Sequence, residues 1–136
     1  MRVVIIEDEM YAAKRLENMI KEFDPEIEIA AWLESVEDSV DWFVNNPEPD
    51  LIFLDIHLED DLSFAIFEKV RVSSPIVFTT ATDDLAIKAF SIKKIDFLHK
   101  PIVGDELKIM LQKYLKSGED FRKPIGAGFF SDILNK

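Results

Sequence analysis

Val3 to Ile6, Leu51 to Leu54 and Ile76 to Phe78 are unbroken apolar runs. Each is too short for a helix and lacks the alternation of a strand with one wet face, so each predicts a strand covered on both sides. A weaker run, Ile95 to Leu98, is interrupted by Asp96. Ile27, Ile29 and Ala31 alternate with Glu26, Glu28 and Ala30, the pattern of a partly exposed strand. Helical spacing fills the intervals. From Glu9 to Phe23, the residues Met10, Ala13, Leu16, Ile20 and Phe23 recur at three and four, forming one helical face that Asp24-Pro25 ends. Ser35, with Asp38 three residues on, opens a second helix that carries Val36, Val40, Phe43 and Val44 and breaks at Asn45-Asn46-Pro47. Leu62 to Val70, Asp83 to Phe90 and Asp105 to Leu115 complete a set of five helices.

Strands that alternate with helices through short connections predict an α/β fold, a parallel sheet with helices on both faces. Sites in that architecture lie beyond the carboxyl ends of the strands, where the strand order reverses. With 136 residues the chain is long enough for one domain with a real core. The pattern fails from Ser117 onward, where Ser-Gly-Glu-Asp, Arg122-Lys123-Pro124 and Gly126-Ala127-Gly128 have linker composition. The expected organisation is therefore a domain over 1–116 and a linker or tail over 117–136, leading to an output domain absent from this chain.

Composition narrows the chemistry. Zero cysteine excludes disulfides, thiolate metal sites and cysteine nucleophiles. A net charge of −11 gives a nucleic-acid backbone little reason to approach. No apolar stretch approaches the roughly 18 residues of a membrane span, and a signal-peptide pattern is missing, so a cytoplasmic location is expected.

The ends of the strands carry the informative residues. The first run stops at Glu7-Asp8-Glu9, the central one at Asp55, the next at Thr79-Thr80, and the last at His99-Lys100-Pro101. Alone, a carboxylate after a strand is ordinarily a loop residue or a helix cap. Four such features in order at successive strand ends point instead to one site. Glu7, Asp8 and Asp55 can supply the hard oxygen ligands that Mg²⁺ takes, and a cation among them relieves their mutual repulsion. Asp55 can also act as a nucleophile that accepts a phosphoryl group as an acyl phosphate. Thr80 and Lys100 would then bind its oxygens. His57 and His99 read as ordinary polar residues.

The segments IIEDE, LIFLDI, FTTA and FLHKP, in that order, resemble the receiver domains of bacterial two-component response regulators over residues 1–116. The stretch TTATDDLAIKAFSIKKIDFLHKPI is similar in particular to regulators whose output is a LytTR-type DNA-binding domain. The resemblance implies a flavodoxin-like, doubly wound, five-stranded parallel sheet of order 2-1-3-4-5. It implies Asp55 as phosphoacceptor, and Mg²⁺ held by Glu7, Asp8, Asp55 and the backbone carbonyl of His57. Thr80 and Lys100 become phosphate contacts and switch residues, Phe97 the aromatic switch position, and Lys100-Pro101 a cis peptide. The implied partner is a sensor histidine kinase, with homodimerisation through the fourth helix and fifth strand and with Ala86 to Ile95 as the contact surface. DNA would be reached only through a domain missing here, and the protein would be a transcription regulator and not an enzyme.

Three departures from the family pattern stand out. Glu7 replaces an acid that is often Asp, Phe97 has no hydroxyl to donate, and the loop His57 to Asp61 lacks the Pro and Gly frequent there, with Asp61 adding charge. Two other functions compete. A Mg²⁺-dependent phosphohydrolase with an Asp nucleophile commonly needs a second acid two residues on, where this chain has His57. A receiver-like interaction module that ignores phosphate would need no Mg²⁺ affinity.

Overall fold

The computed structural model describes residues 1–81 and 95–116. Its elements are β1 (Arg2–Ile6), α1 (Met10–Phe23), β2 (Glu28–Leu33), α2 (Val36–Asn45), β3 (Leu51–Asp55), a 3₁₀ turn (Ser63–Ala65) running into α3 (Ile66–Lys69), β4 (Ile76–Thr80), β5 (Phe97–His99) and α4 (Gly104–Lys116). The five strands form one parallel sheet of order β2-β1-β3-β4-β5. The expected helix Asp83 to Phe90, most of the proposed contact surface Ala86 to Ile95, and the tail after Lys116 lie outside the described residues.

Continuous apolar runs became two-sided strands because each face has its own helical cover. Val3, Ile5, Leu51, Phe53 and Val77 pack with Ala13, Leu16 and Ile20 of α1 and Leu107 and Leu111 of α4. On the opposite face Val4, Ile6, Ile52, Leu54 and Phe78 pack with Val36, Phe64, Ile66 and Phe67. Every residue of β3 and β4 is buried, as the lack of alternation predicts.

Four local expectations change. The strand expected at Ile27 to Ala31 starts at Glu28 and continues to Leu33. Between Val3 and Val4 its register slips by one, Val3 facing Ile29 and Val4 facing Ala31. That bulge inverts the side-chain alternation, so Ile29 joins the α1 face and Leu33 the opposite one. The helix expected over Leu62 to Val70 contracts to a 3₁₀ turn and one α-turn. Burial of the adjacent pairs Ser63-Phe64 and Ile66-Phe67, three residues apart, suits the tighter turn, opened by Ala65 N donating to Leu62 O at 3.0 Å. Met10 and Val44, which their spacing puts on apolar helix faces, are each 68% exposed, at the outermost turns of α1 and α2. The run expected at Ile95 to Leu98 pairs as a strand only over Phe97–His99. The Asp96 carbonyl still accepts from Phe78 N at 3.0 Å, while its side chain accepts from Lys113 Nζ at 2.7 Å and from the Tyr114 hydroxyl, fastening α4 to the start of β5.

Candidate functional site

Three parallel strands end in polar residues at one edge of the sheet. Glu7 and Asp8 follow β1, Asp55 is the last residue of β3, and Thr80 the last of β4. Asp55 stands opposite Thr79 in register, with Thr80 one position further out. The sequence places Asp55 where burial ends, but the core continues past it. Asp55 is only 7% exposed and Ile56 beyond it is also buried.

Glu7, Asp8 and Asp55 each offer a carboxylate oxygen within 4.8 Å of the others. Glu7 and Asp55 are buried and Asp8 is exposed. The Lys100 ammonium lies between the two buried acids, donating to Glu7 Oε1 and, at 3.1 Å, to Asp55 Oδ2. Backbone pairing sets that reach, since Lys100 N donates to Thr80 O at 2.7 Å. The Lys100-Pro101 peptide is cis, as expected. The Glu7 backbone is held on both sides. Its N–H donates to Leu33 O at 2.9 Å, and its carbonyl accepts the Trp32 indole N–H at 2.7 Å.

Burial is the largest influence on the Glu7 carboxyl and raises its pKa; the Lys100 hydrogen bond opposes this, Asp55 repulsion adds to it, and the net shift is upward. Asp8 is also raised, first by desolvation and then by its hydrogen bond to Glu7. Burial lowers the Lys100 pKa, but its hydrogen bond to Glu7 and the charge of Asp55 outweigh that and raise it. Three carboxylates with one ammonium remain short of positive charge. That donor set, all hard oxygen, fits Mg²⁺.

These shifts have a pH consequence. Carboxyls raised in the folded state bind protons more tightly there than in the unfolded chain. The stability they contribute is complete below the ordinary carboxylate range and is lost as pH rises through the raised values. Glu7→Gln keeps an acceptor for Lys100 and removes the charge. In chelator, its melting temperature should match the parent protein's at acid pH and exceed it at neutral pH; parallel profiles would refute that cause.

Two other expected site residues, His57 and Phe97, contribute no side chain to this cluster. His57 is exposed, in a loop where it forms an isolated antiparallel bridge with Leu62. Phe97 is half-buried against the α2 and α3 face and opposite Phe78 in register, outside the acidic cluster. Sequence reasoning missed Trp32 and Asp60. Trp32 reaches Glu7 because the strand runs two residues longer than its alternation suggests. Asp60 accepts from Val36 N at 2.9 Å and Glu37 N at 3.2 Å, a cap from 24 residues away that leaves no local sequence pattern.

The family model for the response regulator receiver domain matches residues 3–112. The sensory transduction protein LytT of Bacillus subtilis is 36% identical over 123 residues, covering 88% of this chain and 50% of the relative. The positive alginate biosynthesis regulatory protein of Pseudomonas aeruginosa is 28% identical over 116 residues, covering 83% and 46%. The chain spans about half the length of the curated relatives it matches. Among solved structures, the response regulatory domain of protein mrkE from Klebsiella pneumoniae superposes with a TM-score of 0.69 at 30% identity, over 85% of this chain and 95% of that one. A two-component response regulator from Clostridium difficile, at 24% identity, shares the fold with a TM-score of 0.70 over 85% and 96%.

Proposed function

This chain belongs to the response regulator receiver domains, and from that premise we propose that it is a phosphorylation-controlled switch whose acceptor is Asp55. The observation that carries the reading is the convergence of Glu7, Asp8 and Asp55 within 4.8 Å with Lys100 bridging two of them. Asp55 Oδ attacks phosphorus, the bond from phosphorus to the donor's imidazole nitrogen breaks, and the imidazole leaves with its electron pair. The product is an acyl phosphate.

Glu7, Asp8, Asp55 and the His57 carbonyl would hold Mg²⁺, which when bound would supply charge neutralisation for the transferring group. Lys100 is already hydrogen-bonded to the acceptor and needs little movement to bind a phosphoryl oxygen. Thr80, at the adjacent strand end, provides a hydroxyl for the same purpose, and Phe97 responds through packing. The added charge biases a two-state element, which is how such modifications act.

A sensor histidine kinase is the proposed donor. Homodimerisation through the segment 83–90 and β5, with transcription control through a LytTR-type domain outside this chain, is the proposed output. The LytT and LytR relatives are named as sensory transduction proteins and are about twice as long. The proposed role is regulatory and not enzymatic, in the cytoplasm; among the described residues no helix is long and apolar enough to cross a membrane.

A small-molecule phosphodonor should add one labile phosphoryl group by intact mass in the presence of Mg²⁺ and none after chelation. Absence of both the adduct and Mg²⁺ binding would overturn the reading in favour of a phosphate-independent interaction module. Turnover of phosphate esters would favour the phosphohydrolase.

A further inference from the structure

The N-terminus of α2 is capped twice, once locally and once from the loop that follows Asp55. Ser35 Oγ accepts from Asp38 N at 3.0 Å. The Val36 and Glu37 N–H groups donate instead to the two carboxylate oxygens of Asp60 at 2.9 and 3.2 Å. Ser39 N then begins the helical ladder by donating to Ser35 O at 3.1 Å. The first-turn N–H groups that lack an intrahelical acceptor are thereby satisfied, two of them from across the sheet edge.

The loop that bears Asp60 is closed on itself. Leu58 N donates to Asp61 O at 3.1 Å, Leu62 N to Asp61 Oδ1 at 2.7 Å, and Ser63 N to Ile56 O at 2.9 Å, while His57 and Leu62 form their bridge. Residues 57–63 contain neither Pro nor Gly, so covalent stiffness does not hold this loop. Its tip is held to α2. Desolvation raises the Asp60 pKa, but the Val36 and Glu37 N–H groups, with the loop's own amides, outweigh it and leave it below its ordinary value.

We propose that Asp60 is a positioning residue: its two hydrogen bonds staple the loop after Asp55 to the N-terminus of α2 and so hold the His57 peptide beside the acidic site. The effect on Mg²⁺ rests on the reading of Glu7, Asp8, Asp55 and His57 given above. The staple itself rests on hydrogen bonds alone.

Asp60→Ala and Ser35→Ala each remove a cap from α2, but only the first releases the loop. In the full chain without metal, amide exchange at Leu58 and Ser63 should rise about tenfold in Asp60→Ala and stay at the parent value in Ser35→Ala. Calorimetric titration with Mg²⁺ should show a Kd raised about tenfold in Asp60→Ala alone, the scale on which outer partners of a metal site act. Asp60→Asn, which keeps an acceptor without the charge, should fall between. Equal exchange in the two alanine variants overturns the staple. Faster exchange with parental Mg²⁺ affinity overturns its role at the site. Absence of Mg²⁺ binding in the parent protein overturns the receiver reading instead, and the exchange comparison still decides the staple.

Discussion

Asp55→Asn should abolish phosphoryl incorporation and at the same time raise the melting temperature of the metal-free protein. The first effect follows from chemistry, because an amide oxygen is too weak a nucleophile to form the acyl phosphate. The second follows from the charges around the acceptor. Among the described residues, Asp55 is attracted to Lys100 Nζ at 3.1 Å and repelled by Glu7 and Asp8 within 4.8 Å. It is also buried, so its charge carries a desolvation cost. Asparagine preserves an acceptor for Lys100 and removes both penalties. The gain should be about 0.5–2 kcal/mol, the scale of single stabilising substitutions. Intact mass after phosphodonor treatment checks the first effect, and thermal unfolding in chelator the second. An adduct on the variant would place the acceptor elsewhere. A lower melting temperature would mean that the Lys100 ion pair outweighs the repulsion. Mg²⁺ should reverse the order by stabilising the parent protein through the carboxylate that the variant lacks.

Phe78→Ala should produce the largest loss of stability, about 3–5 kcal/mol, as expected for a fully buried aromatic. Phe78 is 1% exposed in a central strand and meets the Phe64 ring edge-on at 5.7 Å and 75°. Leu54 and Phe97 flank it in register, so neighbouring backbone can do little to close the cavity. Domains of this kind have only about 5–15 kcal/mol in total. The urea midpoint should therefore fall sharply at unchanged slope. Phe78→Leu, which keeps most of the volume, should cost about 1 kcal/mol. Similar losses in the two variants would exclude the cavity as the cause. Because Phe78 immediately precedes Thr79 and Thr80, the alanine variant should also lose order at the site.

Local signals carry much of the fold. The runs Val3 to Ile6, Leu51 to Leu54 and Ile76 to Phe78 are apolar at every position, which only a strand covered on both faces tolerates, so strand identity and the α/β class are legible. The Ser35 cap is legible too, because its partner Asp38 N is three residues away. Glu7, Asp8 and Asp55 gather into one cluster on strand order alone, since parallel strands joined by helices must all end at the same edge. The third helix is not legible in the same way, because its apolar arc, widened by Phe64 and Phe67, fits more than one helical period.

The sequence by itself determined which segments form covered strands and which chemistry stands at each strand end, because both are written in neighbouring residues; the order of the strands in the sheet was implied only by the family resemblance. The tertiary structure alone decided who meets whom. Lys100 reaches Glu7 across 93 residues and Asp60 reaches Val36 across 24. The bulge in β2, which inverts the alternation and precedes the residue pair that lets Trp32 hold the Glu7 carbonyl, has no marker such as Gly in the strand. Such partnerships depend on register and loop path, whose energies are summed over the whole sheet and not set at any one position.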